Sequence, residues 1–481
     1  MIKIGHPYLE EKSGLYYINC IICENEETKK VFWGGVQEKY VKYLLTERAD
    51  AFLVGLLSYA MRTGNDIECE APVTEELLYN ICQYLIPLVV KYGNSLHYVN
   101  ITAETISEPL ENAGMVGASA SCGVDSFNTI TNQYNSPYKS MNITHLCLND
   151  VGAFNACYGD DTKRDFIKNE RYKKAKEFSH EIGLPLILTE SNFGQMFSQN
   201  HLFTNTYSSV FSILCMRKAW KTYYYSSAYH DIGMFSLFNN ESKDSSYYDL
   251  LSLNCFSTDG LRIYSEGGEC TRLEKVFNIV KFPFARKYLH VCIREQYNCG
   301  ICDKCTRTLL CLDIAGKLED FSDVFDIVYY KKHRAEYLEW FYFKYLENKL
   351  ENQDMYDKLC NDTQMEHIIE NLPDKYQEAK QLLETHKIIL YGCGYLGQKV
   401  EEKYNKNIEI KIDNKIKGNK IVTFEKFKSE FKNHKKENYI CVITSLSKYR
   451  QMLEQMLEYC PELKILNTYI VKTIINETNE K

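Results

Sequence analysis

V-G-A-S-A-S-C-G-V-D-S, residues 116–126, is a small apolar run that ends in a turn of hydroxyl and glycine residues and is followed by F-N-T-I-T-N. The pattern predicts a short buried strand over 115–120, a loop over 121–126 and a helix opening within 125–133. A strand feeding a helix through such a loop makes an anion cradle. Loop N–H groups and the unpaired N–H groups of the helix N-terminus converge on one point, and Ser121 and Ser126 can add hydroxyl donors. Phosphate is the natural guest, and a serine-rich turn without a ligand is the plainer alternative.

Working outward, the chain from Gly114 alternates strands and helices with run lengths that suit a parallel sheet. Strands are expected at 143–148, 184–188, 223–226 and 261–264, and helices at 161–182 and 206–220. Ligands of such sheets gather at the carboxyl ends of the strands, beside the point where strand order reverses. That rule selects Asn149, Asp150 and Gly152, then Glu190, Ser191 and Asn192, then Ser265, Glu266, Gly267 and Gly268, all of which turns also favour for their own sake. Arg272 in E-C-T-R-L-E-K is a candidate for phosphate because a guanidinium matches phosphate oxygens, with an ordinary salt bridge as the alternative. His201 and His230 fall in loop-like segments and are candidates for proton transfer.

The hexapeptide S-C-G-V-D-S, Ser121 to Ser126, resembles the S-G-G-x-D-S signature of the PP-loop ATP pyrophosphatases, a HUP-like α/β superfamily. The resemblance implies that the loop holds the pyrophosphate of ATP while an acceptor oxygen attacks the α-phosphate. Carried over by position, Ser121, Gly123 and Ser126 would contact phosphate, and Asp125 would orient the loop or a Mg²⁺. The chain departs from the signature at Cys122, where the family has glycine. If that position needs a positive φ, a Cβ is unfavourable there.

A second constellation is Cys292, Cys299, Cys302 and Cys305 in C-I-R-E-Q-Y-N-C-G-I-C-D-K-C. Four thiolates on a tight knuckle suit tetrahedral Zn²⁺, whose structural sites are closed by four protein ligands. A disulfide reading is poor because nothing else in the chain looks secreted, and an iron–sulfur cluster is the remaining alternative. With the following T-R-T-L-L, the segment resembles the zinc module of the 7-cyano-7-deazaguanine synthase branch of the PP-loop family, although the first spacing differs slightly.

The 481 residues suffice for about three domains of about 150 residues each. With 45% hydrophobic and 25% charged residues and a net charge of −7, the composition is that of a globular protein without a general nucleic-acid surface. No apolar run approaches about 18 residues, and M-I-K-I-G-H-P lacks the features of a signal peptide. Most of the 19 cysteines stand singly on apolar stretches, as Cys82, Cys147, Cys215 and Cys441 do, which fits buried thiols in a reducing compartment. The expectation is a cytoplasmic protein with no membrane partner.

Residues 1–110 carry no motif and read as an α/β extension packing beside the central sheet, with strands at 14–23, 30–33 and 97–101 and helices at 50–61 and 74–92. Residues 111–320 form the expected nucleotide domain with its knuckle, and 321–385 a helical bridge in which Pro373 is the one strong breaker. K-I-I-L-Y-G-C-G-Y-L-G-Q-K-V, residues 387–400, then restarts a strand, a G-x-G-x-x-G turn (Gly392, Gly394, Gly397) and a helix. The next strand ends at Asp413, about 20 residues on, as a dinucleotide fold predicts. Residues 386–481 leave room for a small Rossmann-like domain, with NAD or a nucleotide-sugar as candidate ligand. A docking or homo-oligomerisation role without cofactor is the alternative.

Taken together, the sequence predicts an α/β PP-loop enzyme that uses ATP and Mg²⁺ to adenylate an oxygen of a small-molecule acceptor, for replacement by a nitrogen or sulfur nucleophile. Asp125, Ser126 and Arg272 are the expected catalytic residues. Ser121, Cys122, Gly123, Val124, Asp125, Ser126 and Asn149 are expected to hold the nucleotide, and the four cysteines a structural Zn²⁺. Three alternatives stand beside it: a sulfur-transfer enzyme using Cys122, a non-catalytic nucleotide binder, and a NAD-dependent oxidoreductase centred on Gly392 to Asp413.

Overall fold

The computed structural model describes all residues except 26–27, 93–95, 153–160, 197–200, 229–243, 293–294, 419, 446–448 and 477–481. At the N-terminus, alternating apolar and polar residues pair as antiparallel strands: β1 (Ile2–Ile4), β2 (Tyr8–Lys12), β3 (Leu15–Glu24) and β4 (Thr28–Gln37). Helix Asp50–Thr63 closes on Gly64, whose φ of +69° supplies the left-handed C-terminal turn. Short strands follow: β5 (Ile67–Cys69), β6 (Val73–Thr74), β7 (Ile101–Thr102) and β8 (Thr105–Ile106). The strand expected at 97–101 is thus reduced to its last residue and Thr102. The helix expected over 74–92 is Glu75–Asn80 and Ile86–Tyr92, joined by a π-helical turn at Ile81–Leu85.

Five parallel strands come next: β9 (Met115–Ser119), β10 (His145–Asp150), β11 (Leu186–Ser191), β12 (Trp220–Ser226) and β13 (Arg262–Glu266). The expected helix over 206–220 is shifted to His201–Cys215, because Trp220 opens β12. The sheet runs β13-β12-β9-β10-β11-β4-β3-β1-β5-β7, with β2 on β3. β10 and β11 extend it on one side of β9, and β12 and β13 on the other. Strand order therefore reverses between β9 and β12, the place where open parallel sheets bind ligands.

The N-terminal segment was expected to pack beside this sheet, but it continues it. β4 is ten residues long, and its Gly34, Gly35 and Val36 pair antiparallel with Ser191, Glu190 and Thr189 of β11. The pairing covers what would otherwise be an exposed edge with unsatisfied backbone groups. Phe32 of β4 stacks on Phe211 at 4.4 Å and meets Phe52 edge-on at 5.5 Å, joining sheet, helix Asp50–Thr63 and helix His201–Cys215 in one core.

Residues 1–299 with 311–326 form one compact unit, and 300–310 with 327–481 a second. In the second, helices Arg334–Glu347 and Thr363–Thr385 precede a parallel sheet of β14 (Lys387–Tyr391), β15 (Ile408–Ile412), β16 (Ile421–Val422), β17 (Tyr439–Ile443) and β18 (Lys464–Leu466), ordered β16-β15-β14-β17-β18. Helix Thr363–Thr385 runs through Pro373 instead of breaking there. Its apolar face continues on both sides of the proline, with Met365, Ile368, Ala379 and Leu383 buried, and this offsets the roughly 3 kcal/mol cost of an internal proline. Phe343, Ala379 and Leu383 share one core with Ile388, Leu390 and Val471, so the helices of the expected bridge and the C-terminal sheet fold together.

Candidate functional site

The loop after β9 emerges at the strand-order reversal, and its conformation follows from a conflict at Cys122. This residue has φ = +58°, the left-handed region that the glycine of the resembling signature would enter freely. Its thiol turns inward, 3.7 Å from the Ala120 carbonyl, and burial pushes it up to about 12 despite the nearby cations Lys174 and Arg171. The Cys122 carbonyl accepts from His290 N–H at 2.8 Å, which ties the loop to the segment just before Cys292.

Around this pivot the hydroxyls form a closed relay. Ser121 Oγ donates to Ser126 Oγ at 3.2 Å, Ser126 Oγ donates to the Gly123 carbonyl at 3.2 Å, and Gly123 N–H donates to Ser121 Oγ at 3.4 Å. Helix Val124–Gln133 starts from Gly123 without a side-chain cap, and Val124 is buried beneath the turn. An uncapped helix start beside two hydroxyls is the environment in which an anion is stabilised.

Asp125 on the first helical turn meets two cations. Arg272 grips it with both terminal nitrogens, Nη1–Oδ1 2.9 Å and Nη2–Oδ2 3.1 Å, and Lys275 Nζ lies 3.3 Å from Oδ1. Both cations come from helix Arg272–Ile279, whose start is fixed by a capping box between Thr271 and Glu274. A spacing of three residues then sets Arg272 and Lys275 on one face. Lys275 is 1% exposed and also donates to the Ser227 carbonyl at 2.7 Å, just past β12. Sequence reasoning selected Arg272 and missed Lys275, although the R-L-E-K spacing carried the signal.

Other residues at the carboxyl ends are brought together as braces. Asn149 Oδ1 accepts from Thr189 Oγ1 at 2.9 Å, and Asn149 Nδ2 reaches Tyr223 Oη at 3.4 Å. Lys168, also missed, bridges Asp150 at 2.9 Å and Glu190 at 3.1 Å. Ser191 Oγ donates to the Asp150 carbonyl, while Asn192 is spent on β4, accepting from Trp33 N–H and donating to the Val31 carbonyl. Gly152 and Gly267 have positive φ, at +99° and +79°, and a Cβ at Gly267 would lie 2.6 Å from Asn128 Nδ2. Burial raises the Glu266 carboxyl above its usual range, against the pull of donors from Asn132 and Gln133. His201 opens helix His201–Cys215, and His230 lies outside the described residues.

The sulfurs of Cys292, Cys299, Cys302 and Cys305 lie within 4.8 Å of one another. A tetrahedral zinc with Zn–S bonds near 2.3 Å needs sulfur separations of about 3.8 Å, so the set can hold a metal such as zinc. Asn298 organises the approach to it: Oδ1 accepts from Val291 N–H at 2.8 Å and Cys292 N–H at 3.2 Å, and Nδ2 donates to the Leu289 and Val324 carbonyls. Arg171 donates to the Cys292 carbonyl.

In the second unit the glycine turn after β14 is knitted to its own neighbours. Gly392 has φ = +104°, and a Cβ at Gly397 would lie 2.3 Å from the Gly392 carbonyl, so both positions require glycine. Gly394 caps helix Tyr395–Tyr404 in open space. Asp413, expected at the end of the second strand of a dinucleotide fold, accepts from the N–H groups of Cys393 at 2.9 Å, Lys415 at 2.8 Å and Ile416 at 2.9 Å.

No family model, curated protein or solved structure matches this chain. Among the described residues, no helix is long and apolar enough to cross a membrane.

Proposed function

We propose that this protein is a PP-loop-type ATP pyrophosphatase that adenylates an oxygen of a small acceptor molecule. The observation that carries the reading is the Ser121–Ser126 turn at the strand-order reversal, with an uncapped helix start behind it and Arg272 and Lys275 converging on Asp125. ATP lies with its phosphates against the Ser121 and Ser126 hydroxyls and the helix start, and Mg²⁺ offsets their charge. The acceptor oxygen forms a bond to the α-phosphorus as the bond to the bridging oxygen breaks, and pyrophosphate leaves with that electron pair. The adenylated oxygen then departs as AMP when a nitrogen or sulfur nucleophile replaces it.

The chain's own contribution is positioning and charge compensation, which need no covalent intermediate. Asp125 holds the two cations at the mouth of the loop, where they balance charge developing on the leaving pyrophosphate. A buried Cys122 thiol raised to about 12 is not a thiolate at neutral pH, which argues against sulfur carriage at this position. The four cysteines use every position of a tetrahedral metal, so a zinc there is structural.

The test is ATP binding by calorimetry and pyrophosphate release across a panel of acceptor acids, amides and heterocycles. Binding should be Mg²⁺-dependent and lost in Ser126→Ala combined with Asp125→Ala. A chain that binds no ATP, or binds it equally well in that variant, would overturn the assignment.

A further inference from the structure

Helix Asp161–Ile182 ends over the sheet where β4 leaves β11, and a cleft of about 580 Å³, open to solvent on one side, lies between them. Its origin is in the register. β4 pairs with β11 from Gly34 to Val36 and then turns into the 3₁₀ segment Glu38–Tyr43, so residues 186–188 lose their β4 partner. Two side chains stand in for it: Gln37 Oε1 accepts from Leu188 N–H at 3.2 Å, and Tyr40 Oη donates to the Leu186 carbonyl at 3.5 Å. The volume is that of a small-molecule site. The cleft lies at the amino end of β11, whereas the Ser121–Ser126 loop follows the carboxyl end of β9, so the two are separate sites on one sheet.

The walls are apolar and the rim is basic. Leu184, Pro185, Leu186 and Leu188 supply the apolar surface, and Lys39, Lys176 and His180 stand around it. Lys176 and His180, four residues apart, share one helix face, while Lys39 comes from the 3₁₀ segment. Lys39 leans on its neighbour Tyr40, 4.6 Å from the ring centroid, and none of the three makes an ion pair or a side-chain hydrogen bond among the described residues. With Gln37 Oε1 fixed by Leu188, Gln37 Nε2 also donates to no protein group. No carboxylate lines the cleft, and Glu181, next to His180 in sequence, is spent on Lys287 and Tyr288. In a chain of net charge −7, two lysines without a counter-charge beside apolar surface make a local site for an anion.

We infer that this cleft binds a small organic anion with one carboxylate and an apolar body, of the aryl or medium-chain acyl carboxylate class. Lys39 and Lys176 compensate its charge, Gln37 Nε2 and the His180 ring offer directed hydrogen bonds, and its body lies along Leu184, Leu186 and Leu188. A phosphate fits less well. No arginine and no helix N-terminus lines the cleft, and helix Asp161–Ile182 presents its carboxyl end, where the macrodipole is negative.

The experiment is calorimetric titration of the full chain with octanoate and with phenylacetate at fixed ionic strength. At least one should bind at a single site with a Kd below about 1 mM. Acetate lacks the body, octanol lacks the charge and octylamine reverses it, so each should bind at least about tenfold more weakly, a comparison that needs no mutant. Hydrogen exchange should slow across residues 176–188 when the carboxylate is bound. Lys39→Ala with Lys176→Ala, both exposed positions, should weaken binding by about tenfold or more, and Lys39→Arg with Lys176→Arg should retain it. No saturable binding up to about 10 mM, equal binding of octylamine or inorganic phosphate, unchanged affinity in the alanine pair, or protection only elsewhere in the chain would overturn the inference.

Discussion

Replacing Cys122 separates backbone strain from packing and tests whether the thiol has a chemical role. In the left-handed region a residue with a Cβ carries a penalty of about 1–2 kcal/mol, and Cys122→Gly removes it. The same change forfeits the burial of one methylene and a sulfur, about 1–1.5 kcal/mol, and adds roughly 0.5–1 kcal/mol of unfolded-state entropy. These terms nearly cancel, so the glycine variant should lie within about 1 kcal/mol of the parent. Cys122→Ala keeps the strain and loses the sulfur, costing about 1 kcal/mol. Cys122→Val adds a β-branch at positive φ and should cost about 2–3 kcal/mol. Urea unfolding in a Trp340→Phe background isolates the first unit, because Trp33 and Trp220 both report from it. A glycine variant destabilised by more than about 2 kcal/mol, or a valine variant as stable as the parent, would refute this account of the loop. With an acceptor in hand, Cys122→Gly should still release pyrophosphate, and a dead glycine variant would give the thiol the chemical role denied to it above.

Asp125→Ala takes from the buried Lys275 its carboxylate partner, so it should lose pyrophosphate release and about 1–3 kcal/mol of stability; adding Lys275→Met should restore part of the stability but none of the activity, and an additive double mutant would disprove the coupling. Metal analysis should find about one zinc per chain, and chelation should speed hydrogen exchange at the His290 amide that holds the Cys122 carbonyl; unchanged exchange after metal removal would uncouple knuckle from loop. Asp362 caps helix Thr363–Thr385 and takes a bidentate bond from Arg334, which holds its carboxyl below the usual aspartate range. A depressed folded value means stability that is present above the unfolded carboxyl's range and lost as pH falls through the folded value, so Asp362→Asn should cost about 1 kcal/mol at neutral pH and progressively less as the solution is acidified; a deficit constant with pH in denaturation curves would contradict the ion pair.

The parts legible in sequence were those written in local pattern. The strand, turn and helix at 115–133 appear where the small apolar run and hydroxyl turn put them, and C-x-x-C spacing brought four sulfurs together because short loops leave them little choice. What stayed hidden depended on partners distant in sequence. Nothing within residues 28–37 announces that β4 will pair with β11, some 155 residues later, since any alternating strand can complete an open edge. Lys275 reads as a surface lysine until Thr271 and Glu274 fix the helix start and swing it under Asp125. Asp413 is less decisive: its distance from the glycine turn is what a dinucleotide fold predicts, but an aspartate after a strand also satisfies local N–H groups, and here it accepts three of them.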